Sequence, residues 1–190
     1  MACAFWEAIY GKISRRTIGD MSYSIRRATF FTLIATFAGV LGGFLFIYDW
    51  RESLPLAIFY ALLVINTYPS VRLFSSLIPL DHGKHALADI SLAGLYFFLA
   101  ASLGNPQQFA LCGLVLFMVA AGKYSLMFYD IPHQHLLERK VRVDLLGALM
   151  CACVLAAMNA GWILSAAWVM AVVFALANVY VLALKPIYRL

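Results

Sequence analysis

A chain of 190 residues with 12% charged and 64% hydrophobic side chains has about half the ~25% charge of a soluble domain. Its formal charge of +5 sits in short clusters between apolar runs, which argues against a nucleic-acid partner and fits the loops of a membrane protein. The four cysteines form no CxxC pair or disulfide framework, and Cys112, Cys151 and Cys153 lie inside apolar runs, where Cys acts as a small hydrophobe.

Residues 1–27 precede the first span. Phe5, Ile9 and Ile13 recur every four residues, Trp6 and Tyr10 stand beside them, and Lys12, Arg15 and Arg16 follow. This pattern predicts a short amphipathic helix lying in the cytoplasmic interface. No basic region precedes its apolar part, so it does not read as a signal peptide. A transmembrane domain over residues 28–190 follows. Span 1 is expected from Ala28 to about Tyr48, and Gly39, Gly42 and Gly43 give it a face that a neighbouring helix can approach closely. Asp49-Trp50-Arg51-Glu52 is a tight polar turn. Span 2 runs from about Ser53 to Phe74, with Pro55 in its first turn and Pro69 inside, where a kink is expected.

A polar connection, Pro79 to His85, leads to span 3, Ala86 to Leu103. Gly104-Asn105-Pro106 breaks the chain again. Span 4 runs from Phe109 to Tyr129. The longest connection is Asp130 to Arg142, where Leu136-Leu137 suggests a short interfacial helix. From Leu145 to Leu184 the chain has 40 residues without one Asp, Glu, Lys or Arg. One span needs only ~20 apolar residues, so this run is a hairpin of spans 5 and 6 about Asn159-Ala160-Gly161. The expected fold is therefore all-α: six transmembrane helices in three hairpins. With six spans, the side that holds both termini carries 13 of the 14 Lys and Arg residues, and only Arg51 lies opposite. This bias places both termini in the cytoplasm of a plasma or bacterial inner membrane.

The hairpin turns centre near residues 49, 105 and 161, and Tyr68, Tyr124 and Tyr180 are likewise 56 apart. Asn66, Gly122 and Asn178 precede the tyrosines by two residues, and Asp89 and Asp144 are 55 apart at the starts of spans 3 and 5. The spacing suggests hairpins repeated about a pseudo-threefold axis. Transport proteins often place their sites where such repeats meet. Six equal helices with short turns would also give similar periods.

Asp89, Lys123 and Asp144 lie within or at the edge of apolar segments. An ionisable group in a span costs at least ~2.5–3.5 kcal/mol at its centre and is a functional candidate by default. The plainer readings are that Lys123 snorkels to the headgroups and that the two acids cap helix starts. Lys123 paired with Asp89 or Asp144 would instead mark the inner wall of the bundle. Asn66, Asn178, Tyr68, Tyr124 and Tyr180 add polar groups along the same candidate ion or ligand pathway. The cytoplasmic connections also collect His82, His85, His133, His135 and Glu138. Imidazole with carboxylate suits a transition metal, so these five are the candidate metal ligands, or a proton-handling cluster that senses pH. No HExxH or other established zinc spacing is present.

Six spans, a repeat and a polar layer in the cytoplasmic half favour a transporter or channel for an ion or small solute. One alternative is a non-catalytic membrane subunit or sensor that works with a cytoplasmic partner, which suits the small size and basic face. Another is an integral membrane enzyme that turns the His/carboxylate face on a lipid-like substrate. The partners expected are the lipid bilayer and either a second copy of the chain or a protein docked on the cytoplasmic face.

Overall fold

A computed structural model describes the backbone of residues 2–77, 83–129 and 134–184, and the side chains of 23–76, 87–128 and 135–184. Among these residues six α-helices form: α1 (Ala2–Phe46), α2 (Trp50–Leu77), α3 (Gly83–Ala101), α4 (Pro106–Leu126), α5 (Gln134–Asn159) and α6 (Ile163–Val179), which ends in a π-helical turn, Tyr180–Leu184. Five helices hold stretches long and apolar enough to cross a bilayer, while the apolar part of α3, Leu87–Ala101, is shorter. The 19 residues of α3 still reach about 28 Å at 1.5 Å each, close to the ~30 Å hydrocarbon core. Outward faces are apolar: Phe30, Phe37, Phe44, Ile90, Leu146 and Leu176 are all exposed. Water would reject that surface, whereas lipid tails are as apolar as the side chains. The protein is an all-α polytopic membrane protein.

Turn chemistry sets the helix ends. The Asp49 carboxylate accepts the Arg51 N–H at 2.8 Å and its carbonyl accepts the Ser53 N–H at 3.1 Å. Asp49 therefore caps α2, and Trp50, Arg51 and Glu52 belong to the helix rather than to the turn. Asn105 caps α4 by accepting the Gln108 N–H at 3.1 Å, with Pro106 in the first turn. Between α5 and α6, Gly161 takes φ +95°. Its N–H donates to Met158 and that of Trp162 to Ala157, the paired bonds that close a helix around a left-handed glycine.

Two expected boundaries move. Leu136-Leu137 form no separate interfacial helix; α5 is one helix of 26 residues whose first turns carry the charges, and Leu137 is fully buried within it. Ion pairs one turn apart, Glu138–Arg142 and Lys140–Asp144, let a charged sequence continue the helix. At the other end, α1 runs unbroken from Ala2, with no interruption at residue 27. The apolar face expected over residues 5–13 lies outside the described side chains.

The helices close into a ring. Following the principal contacts, α1 packs on α3, α3 on α4, α4 on α5, α5 on α6, α6 on α2 and α2 back on α1. The three hairpins are present, but α3–α4 and α5–α6 follow one another in one rotational sense and α1–α2 is set in the reverse sense. A threefold axis would have seated α2 against α3 and α6 against α1. The 56-residue spacing therefore does not correspond to a threefold axis of the ring. Inside the ring the rings of Phe59, Phe109, Phe117 and Phe174 meet, Phe59 lying 4.2 Å from Phe174, 5.6 Å from Phe109 and 6.4 Å from Phe117 between centroids.

Of the glycines on α1, Gly39 receives the ring of Tyr60, and Gly42 lies against the Ala100 backbone of α3. Gly43 faces an outward groove of about 550 Å³ between α1 and α2 instead. The buried Tyr60 hydroxyl donates to the Ala35 carbonyl at 2.7 Å, tying α2 to α1. Tyr60→Phe is expected to cost about 0.5–1.5 kcal/mol in a denaturant titration in mixed micelles; an unchanged midpoint would show that the bond adds no net stability.

Candidate charged cavity within the bundle

Helices α2 and α4 end where α3 and α5 begin, so residues late in the first pair share a level with residues early in the second. Asp89 is the seventh residue of α3, Asp144 the eleventh of α5, and Lys123 stands three residues before the end of α4. Both acids lie beyond the first helical turn, which removes the capping role. Lys123 does not snorkel: its side chain is only 8% exposed, and its Nζ donates to Asp89 Oδ1 at 2.5 Å. Arg27, on α1, donates to the other oxygen, Asp89 Oδ2. One carboxylate thus joins α1, α3 and α4. Asp144, 1% exposed, pairs with Lys140 of its own helix at 2.5 Å through Oδ1.

The two clusters meet at Tyr124. Lys123 Nζ lies 5.5 Å and Lys140 Nζ 5.1 Å from the centre of its ring, so both ammonium groups face the same π system. The Tyr124 hydroxyl lies 3.2 Å from Ser70 Oγ on α2. Nearby, Thr67 donates to the Leu63 carbonyl at 2.8 Å. Its single proton is thereby committed, so the Tyr96 hydroxyl donates in the Thr67–Tyr96 bond.

These groups line a cavity of about 80 Å³. Asn66, Thr67 and Ser70 of α2, Asp89 and Tyr96 of α3, Lys123 and Tyr124 of α4, and Lys140 and Asp144 of α5 form its polar wall. Leu63, Leu116 and Phe117 form its apolar floor, above the phenylalanine cluster. At ~30 Å³ per water there is room for a few small molecules. Two acceptors of this wall, Asn66 Oδ1 and Asp144 Oδ2, are buried without a hydrogen-bond partner among the described residues. Among its lining residues Lys123 and Lys140 balance Asp89 and Asp144, and Arg27 pairs with Asp89 from outside the lining.

Of the residues singled out in the sequence, Asp89, Lys123, Asp144, Asn66 and Tyr124 converge here. Tyr68 is half-buried and Tyr180 exposed, and neither lines the cavity. Asn178 is buried on α6 and donates to the Phe174 carbonyl at 2.9 Å, again away from the cavity. His82, His85 and His133 lie outside the described side chains. His135 is exposed and Glu138 pairs with Arg142. Among the described residues no three His, Cys, Asp or Glu side chains come together as a metal would need. Ser70, Tyr96 and Lys140 of the wall, and Arg27 paired with Asp89 beside it, are groups that the sequence reading missed. The spacing of Lys140 and Asp144, four apart, was the available signal. Comparison of the chain with family models, with curated proteins and with solved structures finds no match to any of them.

Proposed function

We propose that the chain is a membrane transporter or channel for an ion or small solute, with the charged cavity as its binding site. The observation that carries this reading is the cavity wall: three helices bring charges of both signs, nearly all hidden from solvent, to one small space inside the bundle, and Arg27 of a fourth pairs with Asp89 beside it. As scaffolding this is a poor choice, because well-packed apolar residues often replace a buried ion pair without loss. Ionisable groups inside a membrane domain mark solute and proton pathways by default. The phenylalanine cluster beyond the cavity floor suits a site closed toward one face, as alternating access requires. The Lys and Arg bias supports both termini in the cytoplasm, and hence a cavity in the cytoplasmic half.

The test is flux into proteoliposomes for a panel of protons, sodium, potassium, chloride and nitrate. One of these is expected to move faster than in empty vesicles, and Lys123→Gln to slow it by about tenfold or more, equivalent to 1.4 kcal/mol of lost interaction. Rates equal to empty vesicles across the panel would remove the reading.

A further inference from the structure

The outward groove between α1 and α2 has ends that define its occupant. It follows α1 from Thr36 to Ile47 and reaches Trp50, where α2 begins. At 1.5 Å per residue that stretch is about 17 Å long. Thr36 stands near the middle of the apolar span Tyr23–Phe46, so the groove occupies one leaflet, half of the ~30 Å hydrocarbon core. Small side chains keep it open: Ala57 and Ala61 line it, and a Cβ added at Gly43 would meet only Ile47 Cδ1 at 3.9 Å. Toward mid-bilayer the Tyr60 hydroxyl, bonded to the Ala35 carbonyl, joins the two helices. A helix from a second copy would need a groove through both leaflets. One acyl chain runs from the headgroups to mid-bilayer, which is the extent of this one.

The residues at the mouth select the headgroup. Trp50 lines the groove and is 65% exposed, with an indole N–H suited to the headgroup level. Arg51 and Glu52 follow it. Both are exposed, and neither side chain has an ion pair or hydrogen bond among the described residues. The Asp49 carboxylate, which caps α2, precedes them. One cation and two acids within a turn complement a headgroup that carries both signs. A purely anionic headgroup would satisfy Arg51 but sit against Asp49 and Glu52. Choline has no N–H to offer Glu52, whereas an ethanolamine ammonium has three, and a carboxylate accepts such bonds strongly. We propose that this groove binds one ethanolamine phospholipid, with an acyl chain between α1 and α2, the phosphate at Arg51 and Trp50, and the ammonium at Glu52.

The test is native mass spectrometry of the detergent-purified protein with ethanolamine, choline and glycerol phospholipids of matched chains. One ethanolamine lipid per chain is expected to be retained up to about fivefold more tightly than the choline lipid, the range of an exposed ion pair. Ala61→Phe fills the groove and should weaken retention of all three by about tenfold. Glu52→Gln should bring the ethanolamine lipid down to the level of the choline lipid and leave the latter unchanged. Both positions are exposed, so neither variant disturbs the core. Equal retention of the three lipids, or preference for the glycerol lipid, overturns the proposal. So does an ethanolamine preference that Glu52→Gln leaves intact, or retention that Ala61→Phe leaves unchanged. A dimer that Ala61→Phe dissociates would assign the groove to a second copy and overturn it as well.

Discussion

Replacing Asp89 by leucine is expected to destabilise the protein by about 3–5 kcal/mol, the usual cost of removing one partner from a buried ion pair. Asp89 holds two cations, one on each oxygen, and those cations belong to different helices. Without it Lys123, almost wholly enclosed, has no opposite charge on α3, and α1 loses its polar tie to the same point. Adding Lys123→Met should recover at least half of the loss, because an apolar pair in a membrane interior asks for no compensation. Denaturant titration of the purified single and double variants measures both effects. A single-variant loss below about 1 kcal/mol, the range of exposed pairs, would mean that the charges are effectively solvated. A charge swap is a different case. Asp89→Lys combined with Lys123→Asp re-forms one pair but turns the new lysine against Arg27. The swap is therefore expected to fail where the apolar double variant succeeds.

Gly42→Leu is expected to be about as damaging. A Cβ at this position would come 2.4 Å from the carbonyl oxygen of Ala100 and 2.7 Å from its carbon. Overpacking that flexible side chains can absorb costs about 1–3 kcal/mol. Here the obstacle is the backbone of α3, so relief requires α1 and α3 to part along the seam that Arg27 and Asp89 also hold. A loss above the upper end of that range is expected, together with aggregation during purification. Gly43→Leu is the control. A Cβ there meets only Ile47 Cδ1 at 3.9 Å and points into the outward groove, so a change within about 0.5 kcal/mol is expected. Equal damage from the two variants would show that chain flexibility, not the close approach to α3, sets the need for glycine.

The hairpin turns at Asp49, Asn105 and Gly161 were legible because each rests on local chemistry: a capping carboxylate, an Asn-Pro step, a glycine that tolerates positive φ. Lys123 and Asp89 were legible because a charge in an apolar run has few places to go. Lys140 and Arg27 were hidden by company, since each sits in a basic cluster that hydropathy assigns to a loop. Only knowing that α5 begins at Gln134 turns Lys140 inward, and that start depends on pairs made after the helix exists. The reversed first hairpin was equally out of reach. Period and turn spacing record lengths along the chain, whereas the side on which α1 lies against α2 is fixed by how Gly39 and Gly42 accept Tyr60 and Ala100. Span 1 does carry a trace of it, in having no acid to match Asp89 and Asp144.

The ring order also bears on biosynthesis. The seam that completes the bundle joins α2, near the beginning of the chain, to α6, at its end. A ribosome delivers helices in sequence, so the α1–α2 hairpin must wait in the bilayer through the insertion of four further helices with one flank unclad. Until α6 arrives Phe59 has no Phe174 to stack on, and lipid tails take its place. Closure is then a single late event in which α6 displaces lipid from α2, and a chain truncated before Ile163 would present membrane quality control with an open arc instead of a shorter version of the same protein.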